Sequence, residues 1–146
     1  MYKIILIIQN VIKMNDIVKN YPDYKEIIVN KTPKDYKMYI LVNSTVKLSP
    51  GKVASQVGHA VEELTRKMNR SYKKIYKHYY NNGSPKIVLQ VPSEKVFIKI
   101  LDATINLEKV YIFDAGHTQC KSDTLTVVGY IPIIQSPKCF SELKLY

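Results

Sequence analysis

The sequence is short of cysteine, acidic residues and long apolar runs, and each shortage closes off a class of explanation. Its two cysteines, Cys120 and Cys139, fit no metal-ligand spacing, and without a secretory signal they read as reduced thiols. The apolar run Ile4-Ile5-Leu6-Ile7-Ile8 is too short to span a bilayer and is interrupted by Gln9 and Asn10. Lys3 ahead of it resembles the start of a signal peptide, but no small-residue cleavage site follows, so an added strand is expected there. No nucleophile-elbow serine motif occurs, nor the close helical histidine pair of zinc hydrolases. Acidic side chains number 12 against 22 Lys and Arg, a formal charge of +10.

That excess favours a polyanionic partner, either nucleic acid or an anionic membrane surface. Heavy use of Lys, Asn, Ile and Tyr is also what an A+T-rich genome produces, which raises the lysine count by itself. At 146 residues, 46% hydrophobic and 23% charged, the chain has the size and balance of one globular domain with a real core. A faint echo links Asp23-Tyr24-Lys25 through Asn30 with Asp35-Tyr36-Lys37 through Asn43, of the kind a low-diversity sequence produces by chance. The expected division is an N-terminal extension of unknown role over 1–37 and a compact domain over 38–146.

Within 38–146 the hydrophobic pattern punctuates cleanly. Met38-Tyr39-Ile40-Leu41-Val42 is a continuous apolar run, expected as a strand buried on both faces, ending in the polar loop Asn43-Ser44-Thr45. Ser49-Pro50-Gly51 opens a helix, with Ser49 as cap and Pro50 at the first helical position. At ~100° per residue, Val53, Val57, Val61, Leu64 and Met68 gather on one face, and Lys52, Gln56, His59 and Glu63 on a stripe roughly 130° away. Ala54, Ser55, Gly58 and Ala60 are small enough for close approach by sheet or substrate. Arg66 to Asn82 reads as a second, strongly basic helix. Its Tyr72, Tyr76, Tyr79 and Tyr80 have core-facing spacing, and its cations form a solvated or phosphate-contacting face. Strands are expected at Lys86–Val91, Lys109–Phe113 and Thr124–Ile131. Between the first two lies a helix over Lys95–Asn106, capped at Ser93, with Val96, Ile100 and Leu101 inward. Strand–helix–helix–strand–helix–strand–strand indicates an α/β domain with a mixed sheet.

Two ionisable residues stand out against this pattern. The run Val110-Tyr111-Ile112-Phe113 ends on Asp114, followed by the small and polar Ala115-Gly116-His117-Thr118-Gln119. An Asp after a strand is ordinarily a turn former. Lys52, however, lies in the first turn of a helix, where the dipole mildly disfavours a cation. In a mixed α/β sheet the loops after the first and third strands open at the same carboxyl edge, so Lys52 and Asp114 can face one crevice.

These residues carry a family resemblance. Lys52-Val53-Ala54-Ser55-Gln56-Val57-Gly58-His59-Ala60 resembles the opening helix of the type II peptidyl-tRNA hydrolases. Gly83-Ser84-Pro85-Lys86 is similar to their Gly-Gln-Pro-Lys turn, and Asp114-Ala115-Gly116-His117-Thr118-Gln119 to their Asp-Ala-Gly-Arg-Thr-Gln signature. Thr124 through Gly129 and the closing Leu143-Lys144-Leu145-Tyr146 match in the same order, so the likeness covers about residues 38–146. It implies a four-stranded mixed β-sheet with helices on both faces, often homodimeric, with no cofactor, no metal and no membrane. It also implies a cytoplasmic enzyme acting on peptidyl-tRNA. The catalytic group it implies is Lys52, Asp114, Thr118 and Thr126, with Gln56, His59, His117 and Thr124 around the substrate. Three positions depart from the family pattern. His117 replaces an arginine, Ser84 replaces a glutamine, and the glycine-rich lead-in is reduced to Ser49-Pro50-Gly51. The first substitution loses a fixed charge and the fork that arginine offers to phosphate.

The chemistry implied is hydrolysis of the ester between a peptide and the terminal ribose of tRNA. Asp114 would orient or deprotonate a water, and Lys52 would stabilise the oxyanion or the terminal phosphate. Thr118 and Thr126 would align the water and the ribose oxygens. The alternatives are an inactive RNA-binding module on the same fold, and a membrane-surface protein using the basic helix. A phosphate-binding module has no need of a carboxylate at Asp114. Cys120, beside the signature, reads as a small buried thiol, and His59, Asp114 and His117 as a poor metal set.

Overall fold

The computed structural model describes residues 36–115 and 123–146. The strand expected near the N-terminus, the echo at 23–30, and Cys120 all lie outside the described residues.

A mixed five-stranded sheet forms the centre, in the order β3-β4-β1-β2-β5. β1 is Met38–Asn43, β2 Lys86–Val91, β3 Lys109–Asp114, β4 Thr124–Tyr130 and β5 Lys144–Leu145. β1 pairs in parallel with β2, and the other three pairings are antiparallel. The sheet therefore has one strand more than the four expected. The extra one is two residues long, at the β2 edge, where Leu145 pairs with Leu89 and Lys144 with Gln90. Two residues are too few to leave an alternating pattern in a sequence.

Helices cover both faces. α1 (Pro50–Ser71) and α2 (Lys73–Asn81) lie on one; α3 (Glu94–Ala103) and the short α4 (Lys138–Ser141) lie on the other. β1 is buried at all six positions. Met38, Ile40 and Val42 meet Leu64, Met68 and Tyr79 on the α1 face, while Tyr39 and Leu41 meet Phe97, Leu101 and Phe140 on the other. Gly129 of β4 lets α1 sit close: a Cβ there would lie 2.8 Å from Leu64 Cδ1 and 3.3 Å from Ala60 Cβ.

α1 starts as expected, with the Ser49 hydroxyl accepting from the Lys52 amide at 3.3 Å and Pro50 in the first turn. It runs on to Ser71, so Arg66–Ser71 belong to it and not to a second helix; the break falls at Tyr72, whose φ of −135° leaves the helical range. Its buried residues are Val53, Gln56, Ala60, Leu64 and Met68. That stripe is turned by roughly 40° toward Lys52 from the one the wheel gives. Val57 and Val61 are half-buried, while Ala54, Ser55 and Gly58 face solvent. On α2 only Tyr79 of the tyrosines is fully buried, and Tyr80 is 66% exposed. α3 ends at Ala103, three residues early, and buries Phe97 where Val96 was expected. Thr104 closes it, its hydroxyl donating to Ile100 O at 2.7 Å.

Candidate active site

β3 is antiparallel to β4 and β4 to β1, so β1 and β3 run the same way and end at one edge. α1 begins at that edge, after the loop that follows β1, and crosses the sheet over β4 and β3. This topology closes a gap of 62 residues: Lys52 Nζ donates to Asp114 Oδ1 at 2.5 Å. The two side chains are 15% and 3% exposed. Asp114 is the last residue of β3, not the first of a turn, so the strand fixes its position. Lysine in the first turn of α1 is thus held by a carboxylate, which offsets its unfavourable interaction with the helix dipole.

The threonines reach the same face through a bulge. Ile112 pairs with Val127, yet Phe113 pairs with Leu125, so Thr126 is an extra residue in β4. Without it, strict alternation would send Thr126 to the α3 face with Val128 and Tyr130. The bulge turns Thr126 onto the α1 face beside Val127, and brings Thr124 there too, directly across from Asp114. The Thr126 hydroxyl lies 3.0 Å from Ile112 O and 2.9 Å from Gln56 Oε1, its single proton shared between them. Gln56, placed by the helical wheel on the polar stripe, is buried at 4% exposure and reaches inward to this hydroxyl. Sequence reasoning missed Asn43. Its amide donates to Leu125 O at 2.8 Å, one residue from the bulge, while its Oδ1 accepts from the Thr45 amide and hydroxyl. A buried Asn ending an apolar strand was the available signal.

The structure therefore brings together Lys52, Asp114, Gln56, Thr124 and Thr126. His59 is on α1 but exposed. Thr118 and His117 lie outside the described residues. Among the described residues no three His, Cys, Asp or Glu side chains converge as metal ligands, and no helix is long and apolar enough to cross a membrane. Where the connections after β1 and β2 diverge to opposite faces, a cleft of about 420 Å³ opens at the same edge, lined by Asn43, Val46, Leu48, Val53 and Tyr146 among others. Such divergence points are where open α/β sheets hold ligands. An ammonium and a carboxylate side by side, with hydroxyls on the adjacent strand, can position a water and meet the negative charge of an acyl-transfer intermediate.

Residues 36–146 match the family model described as "Peptidyl-tRNA hydrolase PTH2". This chain belongs to that family. It is 34% identical over 116 residues to the mouse protein named "Peptidyl-tRNA hydrolase 2, mitochondrial", a match covering 77% of this chain and 64% of the mouse protein. The human protein of the same name is 34% identical over 122 residues, covering 77% and 65%. The "Peptidyl-tRNA hydrolase" of the archaeon Sulfurisphaera tokodaii is 34% identical over 117 residues, covering 75% of this chain and 97% of its own length. The chain thus spans slightly less than two thirds of its mammalian relatives and nearly the whole of the archaeal one. The family match begins at Tyr36, the first described residue, which is buried and stacks on His78.

Proposed function

We propose that this chain hydrolyses the ester joining a peptide to the terminal ribose of tRNA, releasing the tRNA for reuse in translation. The observation that carries the reading is the Lys52–Asp114 pair, two charged groups drawn from distant parts of the chain into one largely buried contact. Membership of a family whose named relatives are peptidyl-tRNA hydrolases supports the substrate.

In this reading Asp114 takes up or orients the proton of the attacking water. Lys52 Nζ, within reach of the same point, neutralises charge on the tetrahedral intermediate or the terminal phosphate. Thr126, with Thr118 from the signature, holds the water and ribose oxygens. Gln56 and Asn43 act through others, Gln56 by holding Thr126 and Asn43 by holding the bulge. Thr124 and His59 border the substrate, and His117 meets its phosphates with less charge than an arginine would. The cleft beside Val53 gives room for a group flanking the ester. General-base help of this kind contributes ~10²–10⁴-fold.

The test is a peptidyl-tRNA or N-blocked aminoacyl-tRNA incubated with the protein. Release of free tRNA supports the enzyme. Binding without release is the outcome that would replace it by an RNA-binding module.

A further inference from the structure

The cations of this chain are unevenly paired. From Leu64 to Ser93 there is no Asp or Glu in thirty consecutive residues. Arg66 is held by Glu62 and Glu63, and Lys67 by Glu108. Lys86 donates to Ser84 O and lies over the Tyr79 ring. Arg70, Lys73, Lys74 and Lys77 remain, all exposed and without an ion-pair partner among the described residues. They flank the break at Tyr72, so the end of α1 and the outer face of α2 form a single basic corner.

That corner is far from the Lys52–Asp114 pair. Ser71 lies nineteen residues beyond Lys52 on one continuous helix, roughly 29 Å at about 1.5 Å per residue. A substrate whose ester sits at Asp114 reaches the corner only with parts well removed from its 3′ end, a separation that a stretch of A-form RNA duplex can span. We propose that the α1–α2 corner is a second contact surface that binds the phosphate backbone of the double-stranded arm of the tRNA. This rests on the hydrolase reading for the identity of the RNA. Four charges without an ion-pair partner among the described residues suit a duplex recognised by backbone and shape. An anionic membrane is the poorer fit. A helix lying in a membrane needs its apolar face available, and the apolar face of α2, Ile75 and Tyr79, is already in the core.

The test compares wild type with the triple variant Lys73→Gln/Lys74→Gln/Lys77→Gln. Binding of deacylated full-length tRNA is read by fluorescence anisotropy, which needs no turnover and so stands even where hydrolysis fails. KM and kcat are measured in parallel on peptidyl-tRNA and on an N-blocked aminoacyl ester of the 3′-terminal trinucleotide. The expected result is about tenfold weaker tRNA binding and a similar rise in KM on the full substrate. The salt slope should be shallower by about two to three. The kcat and the trinucleotide KM should stay unchanged, and Arg66→Gln, whose charge is already paired, should move each value less than about twofold. Unchanged tRNA affinity overturns the proposal, as does an equal loss on the trinucleotide or an equal effect of Arg66→Gln. Charge-dependent retention on phosphatidylserine vesicles with tRNA affinity intact overturns it in favour of a membrane.

Discussion

Thr126 of β4 has no partner of its own on β3: Ile112 pairs with Val127, and the Thr126 hydroxyl instead bonds to the Ile112 carbonyl at 3.0 Å. One inserted residue therefore does two things. It turns two threonines toward α1, and it gives the displaced hydroxyl a backbone acceptor and a buried amide, Gln56, to hold it. The acid at the end of β3 and the hydroxyls of β4 face one side because the ladder between them is irregular.

If that arrangement matters, Thr126→Val should show it. The substitution keeps the shape but removes the hydroxyl, leaving a buried amide without its partner, at a cost of about 1–3 kcal/mol. Turnover should fall, while Thr126→Ser retains most of both. Gln56→Leu should cost a similar amount, and the double variant less than the two singles together, because they share one contact. Urea midpoints and single-turnover rates measure this; strictly additive losses would dissociate Gln56 from Thr126.

The ion pair gives a sharper separation of folding from chemistry. Lys52→Ala and Asp114→Ala should each reduce turnover by about 10²-fold or more with tRNA binding largely intact. Each also removes one charge from a buried pair, which costs about 3–5 kcal/mol of stability. The double variant Lys52→Met/Asp114→Asn removes both charges, so it should recover much of that stability and none of the activity. Turnover near wild type in either single variant would remove these two residues from the reaction.

How much of this was legible follows from what a linear pattern can encode. Lys52 and Asp114 could be paired in advance because strand direction and helix capping are local signals, and they fix which edge of the sheet each residue reaches. Gln56 was misplaced because the wheel orients a helix by its apolar residues alone. The buried stripe is set by what α1 meets, here Gly129 and the Thr126 hydroxyl. The bulge is invisible in Thr124-Leu125-Thr126-Val127, since an inserted residue shows only against its partner strand. β5 was missed through brevity, and the length of α1 because a break at Tyr72 carries neither Gly nor Pro.

Gly129 sets how closely α1 lies on the sheet. An alanine there meets the Cδ1 end of Leu64, which is fully buried and must shift, and the Ala60 Cβ. Gly129→Ala should destabilise by about 1–3 kcal/mol. Because α1 carries Lys52 and Gln56 at its start, any relief by lifting the helix should also lower kcat. Calorimetric Tm and turnover are the measurements, and an unchanged Tm would mean that α1 is free to shift.

Lys109, at the opposite end of β3 from Asp114, supplies a pH dependence. It is 3% exposed, donates to Thr104 O at 2.7 Å and lies over the Tyr130 ring. Burial lowers its pKa from 10.5 to about 8; Glu108 draws it back up and Lys67 pushes it further down. Between those two values the unfolded chain keeps the proton that the folded chain has released, so unfolding takes up a proton and stability rises with pH. The full shift corresponds to about 3 kcal/mol. As pH approaches 10, the ordinary tyrosine value, the tyrosines oppose it. Burial raises Tyr79 to about 12 and raises Tyr111 and Tyr130 as well, so the folded chain keeps protons that the unfolded chain loses, and stability falls. Urea unfolding between pH 7.5 and 9, below the range where the tyrosines titrate, should therefore show stability climbing by about 1 kcal/mol in wild type. In Lys109→Met it should start higher and stay level, since the Thr104 carbonyl still accepts from the Leu107 amide at 2.9 Å. A Lys109→Met profile that climbs in parallel with wild type would place the titrating group elsewhere.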